Sequence, residues 1–370
     1  MIKKIKEFIA KETVLFIAAV CAVLTMFLVP PDAAYLHYID FRVLCLLLCL
    51  MAVVAGFKSV GAFQWLTYQL LRRIHSGRIL GITLVLLPFF CSMLVTNDVA
   101  LLVFIPFTIS LLDQLGCRRN IIPVIVLQTV AANLGSMATP VGNPQNLYLY
   151  AAYAMSAAEF FSVTLPLTGI SLVSLTAAAY PVLPKALPEQ NLEKADISSV
   201  KHLVIHAVLF ILCLLTVFRV IPYPVTTVII VALLWFLDRK LLKEIDFMLL
   251  ITFVCFFVVS ENLGRLDSIR NFLQMLLTRS TLLTAVGTSQ IISNVPAAVL
   301  LSAFTDQWRE LLAGVNIGGL GTPIASLASL ITLKLYMRWE DAKVMKFMGV
   351  FTLANIIGLI ILLVFSALVY

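Results

Sequence analysis

The sequence predicts an all-α membrane protein built as an inverted repeat, with about nine spanning helices, two of them broken, and two re-entrant hairpins. Three observations predict it. Hydrophobic residues fill 61% of 370 positions and charged residues only 12%, with a mean hydropathy of +1.04, whereas a soluble domain carries about 25% charged residues. Apolar runs of about 17–25 residues recur along the chain, enough for a helix to cross a ~30 Å hydrocarbon layer. One phrase also occurs twice with identical spacing, Asn133-x-Gly135-x-x-x-Thr139-Pro140 and Asn316-x-Gly318-x-x-x-Thr322-Pro323. The runs are continuous rather than alternating, which argues against a membrane β-barrel.

Taken in order, Lys3, Lys4 and Lys6 precede an apolar run from Thr13 to Val29, and no small-residue cleavage site precedes Pro30-Pro31. Residues 1–35 therefore read as a retained first transmembrane helix rather than a signal peptide. A first repeat occupies 36–183. It holds a span at 41–57, an amphipathic surface stretch at 60–77, a hairpin at 79–112, a broken helix at 121–150 and a span at 160–183. The polar stretch 184–201 is a cytoplasmic linker. The second repeat, 202–346, holds spans near 202–219, 222–238 and 246–262, a hairpin at 280–304 and a broken helix at 311–333. A final transmembrane helix covers 347–370.

The two hairpins are apolar segments with a polar dent, Thr96-Asn97-Asp98 in one and Ser293-Asn294 in the other. Hydropathy alone also allows 79–112 to be two full spans. With the N-terminus in the cytoplasm, only Arg42, Arg219, Arg265, Arg270, Arg279 and Arg309 of the 26 basic residues fall outside, a strong positive-inside bias. In this frame Ile39-Asp40-Phe41 opens a span running inward and Ile245-Asp246-Phe247 one running outward. Each is followed by a hairpin and then by the repeated phrase, so the core halves, roughly 36–155 and 242–340, are related by inversion. The net charge of +7 belongs to this topology and not to nucleic acid.

A helix at membrane depth satisfies its backbone internally, because lipid offers no hydrogen bonds. Segment 133–146 contains two prolines and two glycines, and segment 316–329 three glycines and one proline. Proline in a helix interior costs ~3 kcal/mol or more. Such breaks persist where freed carbonyls and side chains line a wet cavity. Paired, broken apolar segments in two halves mark the binding site of a secondary transporter. Hairpin tips add helix N-termini, which favour anions. One half-site then comprises Thr96, Asn97, Asn133, Gly135, Thr139, Asn143 and Asn146. The other comprises Ser293, Asn294, Asn316, Gly318, Thr322, Ser326 and Ser329. Small polar residues also permit close helix packing, but packing does not demand matched spacing in two halves.

Asp98 is a carboxylate near mid-membrane, whose default reading is functional. It can hold Na⁺, carry a proton or cap the second hairpin arm; Val295 stands at the matching place. Oxygen donors for Na⁺ would come from Asn97, Asp98, Asn133, Asn294 and Asn316. Glu261 reads as interfacial, and His37, His75, His202 and His206 receive no role. The seven cysteines form no metal-spaced set. There is no His-Glu-x-x-His motif, no Ser/His or Asp pair within the spans and no nucleotide-binding loop. An enzyme is not expected, nor any cofactor beyond a coupling Na⁺ or H⁺.

At these residues the chain resembles the ion transporter superfamily with a citrate-transporter-like domain. That group takes in arsenite permeases, P-protein permeases and sodium/dicarboxylate symporters. Asn133-Leu-Gly-Ser-Met-Ala-Thr-Pro-Val-Gly-Asn-Pro-Gln-Asn146 is similar to the P-protein motif, and Asn316 to Ser329 to the arsenite-permease ending, with Ala325 in place of a glycine. Thr96-Asn97 and Ser293-Asn294 are similar to the Ser-Asn-Thr tips of the symporters, departing at Asp98 and Val295. Short bacterial anion permeases share the phrases Thr-Asn-Asp-Val-Ala and Gly-Asn-Pro-Gln-Asn. The resemblance implies a mobile transport domain, a homodimer through the scaffold, and a small anionic solute, carboxylate or inorganic oxyanion, moved across the cell's inner membrane with Na⁺ or H⁺. A Na⁺/H⁺ antiporter using Asp98 and an arsenite or antimonite efflux permease are the alternative expectations.

Overall fold

Several helix starts in this chain are capped by side chains, and the two Ile-Asp-Phe phrases do the same work. Asp40 accepts from the Val43 amide at 3.0 Å and Asp246 from the Leu249 amide at 2.9 Å. Each carboxylate satisfies a donor left free in a first helical turn. They open α3 (Phe41–Ser59) and α13 (Phe247–Gly264). The computed structural model describes residues 12–72, 74, 76–186 and 194–369. Lys3, Lys4, Lys6, Lys11, Arg73, His75 and residues 187–193 of the expected linker lie outside the described residues.

The described residues form nineteen α-helices and no strand. Before the first hairpin come α1 (Thr13–Leu28), α2 (Tyr35–Tyr38), α3 and α4 (Ala62–Leu71). The hairpin is α5 (Gly77–Cys91) and α6 (Asn97–Gln114), followed by the broken pair α7 (Ile121–Ser136) and α8 (Pro144–Ala152). Then come α9 (Ala157–Ala179), α10 (Val200–Val217), α11 (Tyr223–Leu237), α12 (Arg239–Lys243), α13 and α14 (Asp267–Arg279). The second hairpin is α15 (Thr281–Ile292) and α16 (Asn294–Ser302), the second broken pair α17 (Trp308–Ile317) and α18 (Leu327–Tyr336), and α19 (Val344–Val369) ends the chain.

Two groups of helices pack within themselves. In one, α13 lies along α1, and α10 and α11 lie against α3. Buried Asn262 fastens it, donating to Thr25 Oγ1 at 3.1 Å and to the Tyr35 hydroxyl at 2.8 Å. The other group gathers both hairpins and both broken helices with α9 and α19. Here each hairpin packs on the opposite half: α6 lies against α18, and α16 against α8. The groups meet where α16 contacts α13 and α8 contacts α3.

Prolines and glycines shape the hairpin group. Pro88 inside α5 lacks the N–H that would bond to Leu84 O. Buried Gln128 of α7 supplies it instead, donating from Nε2 to Leu84 O at 2.7 Å and to Thr108 Oγ1 at 2.8 Å. Gly135 lies so close to α5 that a Cβ would stand 2.0 Å from Phe89 O.

Six of the described helices are long and apolar enough to cross a membrane: α3, α6, α9, α10, α13 and α19. The expected nine spans differ from this count for physical reasons. Two are split by their Gly/Pro breaks, and α1 and α11 are apolar but shorter. Helix α6, expected as a hairpin arm, is itself among the six. Amphipathic α4 falls in the expected surface stretch, whereas α14, also amphipathic, falls where no helix was expected. Its apolar side exposes Phe272 and Met275, too short a stripe to stand out as a run.

Candidate functional site

The two breaks span 137–143 and 318–326, and the polar side chains flanking them meet across the halves. Asn133 Oδ1 accepts from Ser326 Oγ at 2.9 Å, and Asn316 Oδ1 accepts from Asn143 Nδ2 at 3.3 Å. Position 326 stands to 316 as 143 stands to 133, so one contact repeats the other with the halves exchanged. Asn133 Nδ2 also donates to Gly319 O at 3.4 Å, and Asn316 Nδ2 to Asn146 Oδ1 at 2.7 Å. All five side chains are at least 95% buried.

The hairpin tips join this network. Asn97 Nδ2 donates to Asn133 Oδ1 at 2.9 Å. At the second tip the Asn294 amide donates to Ala325 O at 2.9 Å, and its side chain lies over Gly319, where a Cβ would stand 2.8 Å from Nδ2. Ser293 alone links α15 to α16, with φ 76° and ψ 153°, a region open mainly to glycine. Its hydroxyl reaches Ala325 O at 3.4 Å.

The paired threonines act as pins. Thr139 Oγ1 donates to Met93 O at 2.5 Å and Thr322 Oγ1 to Gln290 O at 3.1 Å. Met93 precedes Thr96 by as many residues as Gln290 precedes Ser293, so each break is tied to its own hairpin at the same point. Thr322 is exposed. Gly318, like Gly135, allows a close approach, here with Ser289 Oγ 2.7 Å from where a Cβ would stand. Asn143 and Pro144 start α8 together: Asn143 Oδ1 accepts from the Asn146 amide at 2.9 Å, and proline suits the first helical position.

Asp98 stands beside the network. Its amide donates to Asn97 Oδ1 at 3.0 Å, and its buried Oδ1 has no hydrogen-bond partner. It lines a cleft of about 330 Å³ between the two helix groups, together with Thr96, Pro144, Lys58, Glu244 and Asp246. Of the expected Na⁺ donors, the side-chain oxygens of Asn97, Asn133 and Asn316 already accept protein donors; a cation there replaces those bonds. Among the described residues no group of three or more His, Cys, Asp or Glu is placed to hold a metal ion.

Three amides escaped the sequence reading. Gln290 and Asn355 serve the second break: Gln290 Nε2 donates to Gly318 O at 3.0 Å and Leu320 O at 2.9 Å, and Asn355 Oδ1 accepts from the Gly321 amide at 3.2 Å. Gln128 serves α5. The available signal was a carboxamide inside an apolar helix, which is costly unless hydrogen-bonded.

Comparison with known proteins accords with this architecture. The family described as Citrate transporter (CitMHS) matches residues 1–307. An uncharacterized transporter of Methanocaldococcus jannaschii is 32% identical over 331 residues, covering 89% of this chain and 90% of that protein. The inner membrane protein YbiR of Escherichia coli is 30% identical over 300 residues, 80% of each chain. Over a shorter stretch of 137 residues, the silicon efflux transporter LSI3 of Oryza sativa subsp. japonica is 34% identical, covering 36% of this chain and 27% of that protein. In fold alone, the chain is similar to the YdaH transporter of Alcanivorax borkumensis, with a TM-score of 0.58 at 14% identity over 96% of this chain and 97% of that one. The chain is thus an integral, multi-pass membrane protein and belongs to the citrate transporter family of membrane transporters.

Proposed function

We propose that this protein is a secondary active transporter of a small anion, a carboxylate or inorganic oxyanion, coupled to Na⁺ or H⁺. The observation that carries the reading is the exchanged pair of contacts, Asn133 with Ser326 and Asn316 with Asn143. Buried amides and hydroxyls joined across two broken helices form a neutral, hydrogen-bonding cage, with helix N-termini rather than lysines to meet negative charge. Repeats 36–183 and 202–346 would be inverted in the bilayer, with both hairpins re-entrant. The N-terminus would be cytoplasmic and the chain a homodimer in the inner membrane; the name of the Escherichia coli relative supports that membrane.

One observation favours a second reading. Unpartnered Asp98 Oδ1 at the cleft suits cation exchange, Na⁺ against H⁺. The rice relative named for silicon efflux supports testing metalloids and outward movement as well.

Thermal-shift measurements on purified protein against carboxylates, sulfate, arsenite and Na⁺, followed by flux in proteoliposomes, test the proposal. An anion that stabilises the protein and accumulates under a Na⁺ or pH gradient is the expected result. Stabilisation by Na⁺ alone, with sodium-dependent proton movement abolished by Asp98→Asn, establishes the exchanger instead. No response to any of these ions removes both readings.

A further inference from the structure

The two breaks satisfy their freed carbonyls by different means. In the first, Asn146 donates from Nδ2 to Met137 O at 3.2 Å and Thr139 O at 3.3 Å. The residue equivalent to Asn146 in the second copy is Ser329, whose hydroxyl is too short for the task. There the carboxamide comes from hairpin arm α15. Gln290 donates to Gly318 O and Leu320 O and accepts from the Thr322 amide at 2.9 Å. The fit is tight: Gly321 has φ +116°, and a Cβ there would stand 2.1 Å from Gln290 Oε1. Met93, the counterpart of Gln290, has no amide to offer.

This exchange of labour leaves Ser329 unused. It is 1% exposed, and its Oγ has no hydrogen-bond partner among the described residues. A buried hydroxyl without a partner costs about 1–3 kcal/mol, and the network is otherwise closely satisfied. We infer that Gln290 is a positioning residue that holds the second break open, so that the Ser329 hydroxyl serves as a ligand to the transported solute or its coupling cation. The two half-sites are therefore unequal: Asn146 is consumed by structure in the first, and Ser329 is available in the second. The inference rests on the site reading proposed above.

The test uses the full chain, with citrate in NaCl as probe and KCl as control. Gln290→Ala is expected to lower Tm by about 2–5 °C and to weaken the apparent affinity for the probe. Ser329→Ala is expected to leave Tm unchanged or raise it, because no protein bond is lost and an unpartnered buried hydroxyl is removed, while weakening that affinity about tenfold, as loss of one good hydrogen bond does. The double variant Gln290→Ala/Ser329→Asn copies the first half's arrangement; it should recover Tm but not affinity. A Ser329→Ala variant that binds like wild type, or a double variant that stays as unstable as Gln290→Ala, overturns the inference. If citrate and Na⁺ leave the wild type unaffected, or Asn133→Ala and Asn316→Ala bind normally, the underlying site reading fails instead.

Discussion

Ser293 carries its backbone at φ 76° and ψ 153°, a conformation that costs a non-glycine residue of order 1–3 kcal/mol. What holds it there is the neighbouring Asn294 amide on Ala325 O at 2.9 Å, more than its own hydroxyl at 3.4 Å, a length near the limit for a useful bond. Ser293→Gly is therefore expected to raise the unfolding midpoint, whereas Ser293→Ala, which keeps the strain, does not. If the hydroxyl also contacts solute, Ser293→Gly gains stability and loses transport, the usual trade at strained sites. Thermal unfolding in detergent paired with flux measurements separates the two effects.

At the scale of elements, helix contacts differ sharply in how much room they leave. A Cβ on Gly135 would stand 2.0 Å from the Phe89 carbonyl, while one on Gly169 in α9 meets nothing within 4 Å. Gly135→Ala must push α7 off α5 and is expected to cost at least the ~1–3 kcal/mol of an overpacked core. Gly169→Ala relieves helix entropy and should be neutral or stabilising by up to roughly 1 kcal/mol; unfolding midpoints measured side by side decide this. Beyond the ends of α1 and α13 an ion pair adds to the Asn262 linkage. The Arg265 guanidinium, 2.8 Å from Asp32, holds that carboxyl below its ordinary value of 3.8. Its contribution is fully present above pH 3.8 and disappears as pH falls through the lowered value. Asp32→Asn is thus expected to lower stability evenly between pH 6 and 8, leaving the curve's shape there unchanged, and to flatten its acid-side fall, which in the wild type includes the loss of this pair.

Across the whole molecule, the division into two helix groups with a cleft between them makes a labelling prediction. Ala55 of α3 and Val99 of α6 line the same cleft from opposite groups. Single cysteines there, in a chain with its seven native cysteines replaced, should react with a membrane-impermeant reagent from one side only and be protected by bound solute. Reaction from both sides at once would count against the secondary-transporter reading proposed above. The repeated Asn-x-Gly…Thr-Pro phrase and the two Ile-Asp-Phe caps were legible in the chain, because local backbone chemistry requires those residues wherever they fold. The apolar runs likewise announced membrane helices. Gln290 was not legible as a positioning residue: its partners are carbonyls of Gly318 and Leu320, exposed by a distant break whose path no local rule specifies. Thr139 and Thr322 were visible as candidates, but their hydroxyls turn to hairpin carbonyls, a choice set by tertiary approach. Helix α14 escaped because amphipathicity over thirteen residues gives a weaker signal than a continuous apolar run.

The cleft at Asp98 carries three carboxylates, a single ammonium, Lys58, and the Thr96 hydroxyl over an otherwise apolar wall. Where these carboxylates are ionised they outnumber Lys58, which favours monovalent cations over free anions at the cleft. Dilute salt should exaggerate that bias and concentrated salt erase it within a Debye length of about 8–10 Å. A negatively charged cargo using this doorway travels best alongside a counter-ion, and ionic strength becomes a kinetic variable in its own right.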